Sequence, residues 1–249
     1  MRMNSGEPSI VVPLPVPVLL SFVAGFVDSC TYLALFGAFV AQLTGSFVLI
    51  GMQVVRAEPG ALASGLAIPC FFLAAVGVTV LVHCLRKRPR VALACSLGAE
   101  FLLLLGFLGA CLAGMPFHEA DQPGAIGALL LGIAAMGAQS ALVRLLMRGV
   151  ASTNVMTTNM TVLAIKATET VLGWVVSRKA QTTGTLNSHY IQAREELGQL
   201  LPLIVAFLAG TACGALAYIN LGLLCLFIVI VPVGALALYA MRLNSETGG

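Results

Sequence analysis

Residues 14–36 read LPVPVLLSFVAGFVDSCTYLALF. Asp28 is the one charged residue in this run. A helix needs roughly 20 apolar residues to cross a hydrocarbon core of about 30 Å, so the run is long enough to span a bilayer. Pro13, Pro15 and Pro17 crowd its start, where a first helical turn tolerates proline. The apolar character extends from Val11 to about Phe36, past the length of a signal-peptide h-region, and includes a carboxylate. A retained first helix is therefore expected.

Five further runs of this kind follow, at about 60–83, 91–114, 124–146, 199–217 and 220–241. The composition agrees with them. The chain is 59% hydrophobic and 9% charged, with a mean hydropathy of +1.00. A soluble domain is about 25% charged, so there is too little polar surface here to solvate a globule. The expected fold is all-α: a polytopic transmembrane helical bundle forming a single integral membrane domain over residues 1–249.

Several function classes are disfavoured. The net charge of +3 is scattered, and no basic patch interleaves with aromatics, so no nucleic-acid partner is expected. The cysteines (Cys30, Cys70, Cys84, Cys95, Cys111, Cys213 and Cys225) lie in or at the ends of apolar runs and form no CxxC. They read as small buried hydrophobes. His83, His118 and His189 are far apart and form no ligand cluster, so neither a metal nor another cofactor is expected. The sequence contains no GxSxG, HExxH or GxxxxGK[ST], so no enzyme is expected. An intramembrane hydrolase using Asp28 and Glu100 is the enzymatic alternative.

Two segments are ambiguous. Residues 39–55 are short for a span. Residues 150–177 hold Thr153, Asn154, Thr157, Thr158, Asn159, Thr161, Lys166, Thr168, Glu169 and Thr170, too polar to face lipid along their length. Charge placement decides between the alternatives. If the six long runs alone span and the N-terminus is inside, Arg2, Arg86, Lys87, Arg88, Arg90, Arg144, Arg148, Arg178, Lys179, Arg194 and Arg242 all fall on the cytoplasmic side. Arg56 is left outside, as is the loop at 115–123 with Glu119 and Asp121. Adding the two ambiguous segments as spans would move Arg178, Lys179, Arg194 and Arg242 outside. The positive-inside rule favours six spans with both termini cytoplasmic. The two ambiguous segments are then short broken or re-entrant pieces. The polar stretch 178–198 reads as a cytoplasmic loop leading into a helix.

The halves, about 11–114 and 124–241, resemble each other. Gly25-Phe-Val-Asp28, Leu33 and Gly37 match Gly137-Ala-Gln-Ser140, Leu145 and Gly149 at a constant offset. With one inserted residue, Thr44-Gly45-Ser46 falls on Thr157-Thr158-Asn159. Three spans per half is odd, so the halves would insert in opposite orientations as an inverted 3+3 repeat. That plan places function at breaks near Thr44 and Thr157, where helix N-termini hold anions and carbonyl ends hold cations. Gly45 would supply backbone freedom at such a break. Ordinary packing of small residues is the alternative.

Asp28 is the sharpest single signal, because an ionisable group inside a span ordinarily faces a cavity or a partner. It reads as a proton or cation site, or else as a helix–helix hydrogen bond. Glu100 lies about ten residues into its run and would pair with Asp28 or meet Arg144. Arg144 otherwise snorkels to the headgroups. Gln139 and Ser140 align near Asp28 in the second half. Lys166 and Glu169, three apart, read as a structural pair on one helical face. Gly210 and Gly214 form a GxxxG that would pack within one subunit or across a homodimer.

At these residues the sequence resembles the YoaK-type family of bacterial membrane proteins. The resemblance rests on Gly25-Phe-Val-Asp28 with Tyr32-Leu33, on Phe39-Val-Ala-Gln-Leu-Thr44-Gly45-Ser46, and on Gly137-Ala-Gln139 with Arg144 and Thr157. It covers most of the chain. The family's Thr-Gly-Asn reads Thr44-Gly45-Ser46 here, and the Thr-Gly of the second half reads Thr157-Thr158. The missing second glycine argues against a sharp break there. The resemblance implies a bacterial inner-membrane protein and carries no activity with it.

The expected function is secondary transport or channelling of a small solute or ion through the bundle, with proton coupling at Asp28. Asp28, Thr44, Gly45, Ser46, Glu100, Gln139, Ser140, Arg144, Thr157 and Asn159 are the candidate pathway residues. The rival reading is a non-transporting assembly or sensor protein acting through helix–helix contacts in the lipid bilayer.

Overall fold

Every long apolar run becomes helix. In a computed structural model the order is α1 (Pro15–Ala34), α2 (Leu43–Arg56), α3 (Ala61–Cys84), α4 (Pro89–Gly114), α5 (Pro123–Leu146), α6 (Met156–Lys179), α7 (Gly184–Leu221), a 3-10 turn (Gly222–Leu226) and α8 (Phe227–Glu246). The structure describes residues 13–147, 149–153, 155–179 and 184–246, without the side chains of 175–179, 184–189 and 243–246. Arg2, Arg148 and Asn154, and the side chains of Arg178, Lys179 and His189, lie outside the described residues. Among the described residues, five stretches are long and apolar enough to cross a bilayer: Pro15–Ala34, Ala61–Cys84, Pro89–Gly114, Pro123–Leu146 and Tyr190–Arg242. The last contains most of α7, the 3-10 turn and most of α8. This is an all-helical membrane protein.

Local chemistry sets the helix ends. Proline stands in the first turn of α1, α4 and α5, where its missing N–H costs nothing. The start of α3 has no side-chain cap of its own. Asp121, on the loop before α5, supplies one: its carboxylate accepts from Gly60 N–H at 2.7 Å and Ala63 N–H at 3.1 Å. The N-terminus of α3 therefore lies beside the acidic loop, at the opposite end from the exposed Arg86, Lys87 and Arg88. Gly222, at φ +59°, lets the chain leave α7 for the 3-10 turn.

Two helices are innermost. α1 packs chiefly on α7, and α5 on α3 and α4; α4 also packs on α8, α2 on α3 and α6 on α7. In α1 and α5, 61% of the apolar window is buried, against 17% in α3. α3 presents Phe72, Leu73 and Val80 to the exterior, which is unfavourable in water and suits lipid. Two apolar cores form. One includes Phe26, Leu104, Phe107 and Met136; the other includes Leu97, Leu142 and Leu146.

Close backbone approach joins α1 to α7. A Cβ at Gly25 would collide with the Phe207 carbonyl, and one at Gly210 with the Phe22 carbonyl. At Gly214 it would lie 2.6 Å from the Phe26 carbonyl oxygen. Gly210 and Gly214 thus face α1 of their own chain, one of the two alternatives for the GxxxG. α5 and α3 approach in the same way: a Cβ at Gly137 on α5 would lie 2.9 Å from the Phe71 carbonyl oxygen on α3.

Three expectations need correction. The polar stretch 178–198 is not a loop throughout, because α7 is already helical from Gly184. It contains no proline between 184 and 201 and is rich in good helix formers. The second ambiguous segment is not short or broken, since α6 runs unbroken over Met156–Lys179. No glycine or proline interrupts its first four turns. The hydroxyls of Thr161, Thr168 and Thr170 donate to carbonyls one turn back, so they are satisfied within the helix. Finally, neither polar triplet is itself a break. Thr44-Gly45-Ser46 and Thr157-Thr158-Asn159 occupy the first turns of α2 and α6, and the irregular backbone lies just before each.

Replacing Gly210 with Ala is expected to destabilise the protein by about 1–3 kcal/mol through forced separation of α1 and α7. Gly77→Ala, where nothing lies within 4 Å of a new Cβ, is expected to be neutral or stabilising. Thermal unfolding in detergent distinguishes the two.

Candidate functional site

The site grows from the end of α1. After Ala34 the chain turns through Phe36 and Gly37, both at positive φ (53° and 77°), and runs back into the bundle. Asp28 lies six residues before the end of α1, roughly 9 Å at 1.5 Å per residue. The returning chain meets it there. Asp28 Oδ1 accepts from Val40 N–H at 2.8 Å and Ala41 N–H at 2.7 Å, and Oδ2 accepts from Gln42 Nε2 at 3.1 Å. These amides belong to an irregular, bent segment with no ladder or helix to satisfy them. Buried backbone donors demand partners, and the carboxylate provides them.

α2 begins at this depth. Its 14 residues span roughly 21 Å, too short to cross a core of about 30 Å. The first ambiguous segment is therefore a half-length helix preceded by irregular backbone, as expected of 39–55. Such backbone survives at membrane depth when it is buried in protein or lines a cavity. Both conditions hold here. Asp28 is only 2% exposed, yet it forms part of the wall of a cleft of about 380 Å³. Ser29, Tyr32 and Leu33 of α1, Phe39 and Gln42 of the returning segment, and Thr211 and Ala215 of α7 complete the lining.

Gly45 has a role other than the expected one. It lies within α2, and its importance is space: a Cβ there would sit 2.9 Å from the Phe39 ring. With no side chain at 45, Phe39 lies over the first turn of α2, and its ring centroid comes 5.3 Å from that of Tyr32. Ser46 is buried, whereas Thr44 is exposed.

The second half holds a related latch. Gln139 on α5 donates from Nε2 to the Leu20 carbonyl on α1 and to Thr153 Oγ1, both at 3.0 Å. Asn159 donates from Nδ2 to the Ser152 carbonyl at 2.6 Å. The segment before α6 is thus fastened to α5, as the segment before α2 is fastened to α1. Gly149, at φ +75°, matches Gly37 at the expected offset. Gln139 makes these bonds, and its neighbour Ser140 is half-buried. Thr157 is exposed and Arg144 is exposed, the latter in keeping with snorkelling.

A family model described as "Protein of unknown function (DUF1275)" matches residues 16–239. The chain belongs to the DUF1275 family. This is the YoaK-type family that the motif residues resemble, and the match runs from the second residue of α1 into α8. No curated protein and no solved structure matches the chain. For this DUF1275 protein the site must therefore be read from its own geometry.

That geometry separates the remaining predicted residues. Glu100 on α4 is fully buried, and neither carboxyl oxygen has a hydrogen-bond partner among the described residues. It forms no ion pair there with Arg144 and no hydrogen bond with Asp28, so the expected pairings are not formed. Its neighbours along α4, Leu97 and Leu104, belong to the two separate apolar cores. An unpartnered buried polar group costs about 1–3 kcal/mol, more if charged. Lys166 and Glu169 do pair, at 3.1 Å, and Glu196 of α7 joins them at 2.9 Å from Lys166. The sequence reading missed Glu196, as well as Gln42, Tyr32, Phe39 and Thr211 as cleft residues. Gln42 and Phe39 could have been found from their places beside the glycine of the polar triplet.

Asp28→Asn puts an amide where three donors converge. Amide hydrogen exchange at Val40 and Ala41 is expected to accelerate roughly ten- to a hundredfold, the loss of hydrogen bonds to a charged acceptor. Mass-spectrometric exchange over 38–46 measures it. Glu100→Met, of similar length and without polar atoms, is expected to raise the thermal stability by about 1–3 kcal/mol; a lower unfolding temperature would point to a partner for Glu100.

Proposed function

We propose that this protein is a small-solute secondary transporter or channel of the bacterial inner membrane, with Asp28 as the coupling carboxylate. The reading rests on one observation: a nearly fully buried carboxylate holds the backbone ahead of a half-length helix and also borders a cleft. A group so placed links occupancy of the cleft to the position of the segment beside it. Protonating Asp28, or neutralising it with a bound cation, weakens its grip on Val40 and Ala41 and frees the start of α2.

The architecture proposed with it is six passages in two inverted three-helix halves. α2 is re-entrant, and the polar α6 lies against α7 as its counterpart. Several paired features support the repeat. α1 packs on α7 as α5 packs on α3, and α2 packs on α3 as α6 packs on α7. Gly25 and Gly137 each approach the carbonyl of a phenylalanine on the helix of the other half. Exchanging the halves would equate the α4–α5 contact with α1–α8, yet the first is extensive and the second slight. Unequal packing of equivalent helices is what alternating access about a central site requires. The exposed Arg86, Lys87, Arg88 and Arg90 favour a cytoplasmic α3–α4 turn and cytoplasmic termini. The family supplies no activity with which to compare.

A thermal-shift screen of small ions and metabolites across pH supplies a candidate solute, and proteoliposomes with an imposed pH gradient supply the test. Wild type is expected to accumulate the solute under the gradient, and Asp28→Asn to lose gradient-driven uptake at least tenfold while still binding in detergent. Full proton-driven uptake by Asp28→Asn would falsify the coupling role. The rival assembly or sensor reading predicts no uptake by either protein.

A further inference from the structure

We infer that the cleft beside Asp28 is a binding site for an ammonium group, carried by a small organic cation or by the headgroup of an ethanolamine lipid. The inference deepens the transport reading by naming a ligand class.

Charge gives the sign. Among the described residues, Asp28 is the only ionisable acid or base on the cleft wall apart from the Tyr32 phenol, and no Lys, Arg or His lines it. An anion there would meet a carboxylate. The backbone donors that could have served an anion, Val40 N–H and Ala41 N–H, are already bound to Asp28 Oδ1.

Valence gives the type of contact. A carboxylate offers about four acceptor positions. Val40 and Ala41 fill two on Oδ1, and Gln42 fills one on Oδ2. The position left on Oδ2 suits a single strong donor and falls short of the six to eight oxygens that a calcium ion collects.

The aromatic pair gives the body of the ligand. Tyr32 and Phe39, with ring centroids 5.3 Å apart, line the same cleft as the carboxylate. Ring faces attract a cation within about 6 Å of the centroid. Gly45 keeps the Phe39 ring in place, so the glycine of the triplet acts on the site through that ring. Carboxylate, two rings and a volume of about 380 Å³ fit a compact alkylammonium, since ligand pockets run from about 300 Å³ upward.

Purified protein is titrated at constant ionic strength with tert-butylammonium and ethylammonium chloride, and with tert-butanol as a neutral mimic. Both ammonium compounds are expected to raise the unfolding temperature saturably, and tert-butanol is not. Phe39→Leu and Tyr32→Leu keep an apolar body and are each expected to weaken ammonium binding roughly two- to fivefold. Asp28→Asn is expected to abolish it. Should Asp28→Asn fail to fold, the two leucine variants still decide. Equal response to tert-butanol, or unchanged affinity in both leucine variants, overturns the inference.

The source is settled in nanodiscs. Preferential retention of ethanolamine over glycerol phospholipid, reversed by ethylammonium, assigns the site to a lipid headgroup. Equal lipid retention with saturable free-cation binding assigns it to a soluble solute, and no response in either arm overturns the inference. Ammonium binding without uptake leaves this inference standing and removes the transport reading. Asp28-dependent uptake of a neutral or anionic solute, with no ammonium binding, does the reverse.

Discussion

The contact on which the rest of the site depends is the carboxylate of Asp28 against the backbone N–H groups of Val40 and Ala41. A chain that turns at the end of a membrane helix and re-enters the bundle brings backbone donors into a region without water. Those donors must be satisfied by protein. Here one side chain satisfies two of them and takes a third bond from Gln42. Its cost is a carboxylate sheltered from solvent, and that cost is offset because every described partner is a donor. From this contact follow the depth at which α2 begins, the position of Phe39 over α2, and the negative wall of the cleft.

The fold is legible in the sequence wherever a single property decides. Length and apolar content mark the long helices, because nothing else lets some 20 apolar residues satisfy their backbone in lipid. Asp28 is legible for the same reason in reverse: a charge inside a span needs a partner. What was not legible depends on direction. Thr44 and Thr157 are exposed while Ser46 and Asn159 of the same triplets are buried, a difference that composition does not carry. Glu100 suggests a partner by its cost alone, yet the helix faces that would have brought it to Asp28 or Arg144 are set by packing of α4 on α5 and α8. Hydropathy also understates α6 and the first part of α7, where polar residues form helix without apolar burial to announce it.

The two latches share a plan and differ in charge. In the first half a carboxylate holds backbone amides; in the second an uncharged amide, Gln139, holds a carbonyl and a hydroxyl. An uncharged amide keeps one charge state, whereas a carboxyl group has two.

α7 has a mechanical consequence of its own. It is a continuous rod of 38 residues, and at 1.5 Å per residue it measures roughly 57 Å, well beyond the thickness of the hydrocarbon core. In its first half Glu196 is tied through Lys166 to α6; farther along, Thr211 and Ala215 line the cleft beside Asp28. Pro202 lies between them and has no N–H to give the preceding turn, so the rod has one compliant rung. Bending therefore costs the rod least between the ion pair and the cleft.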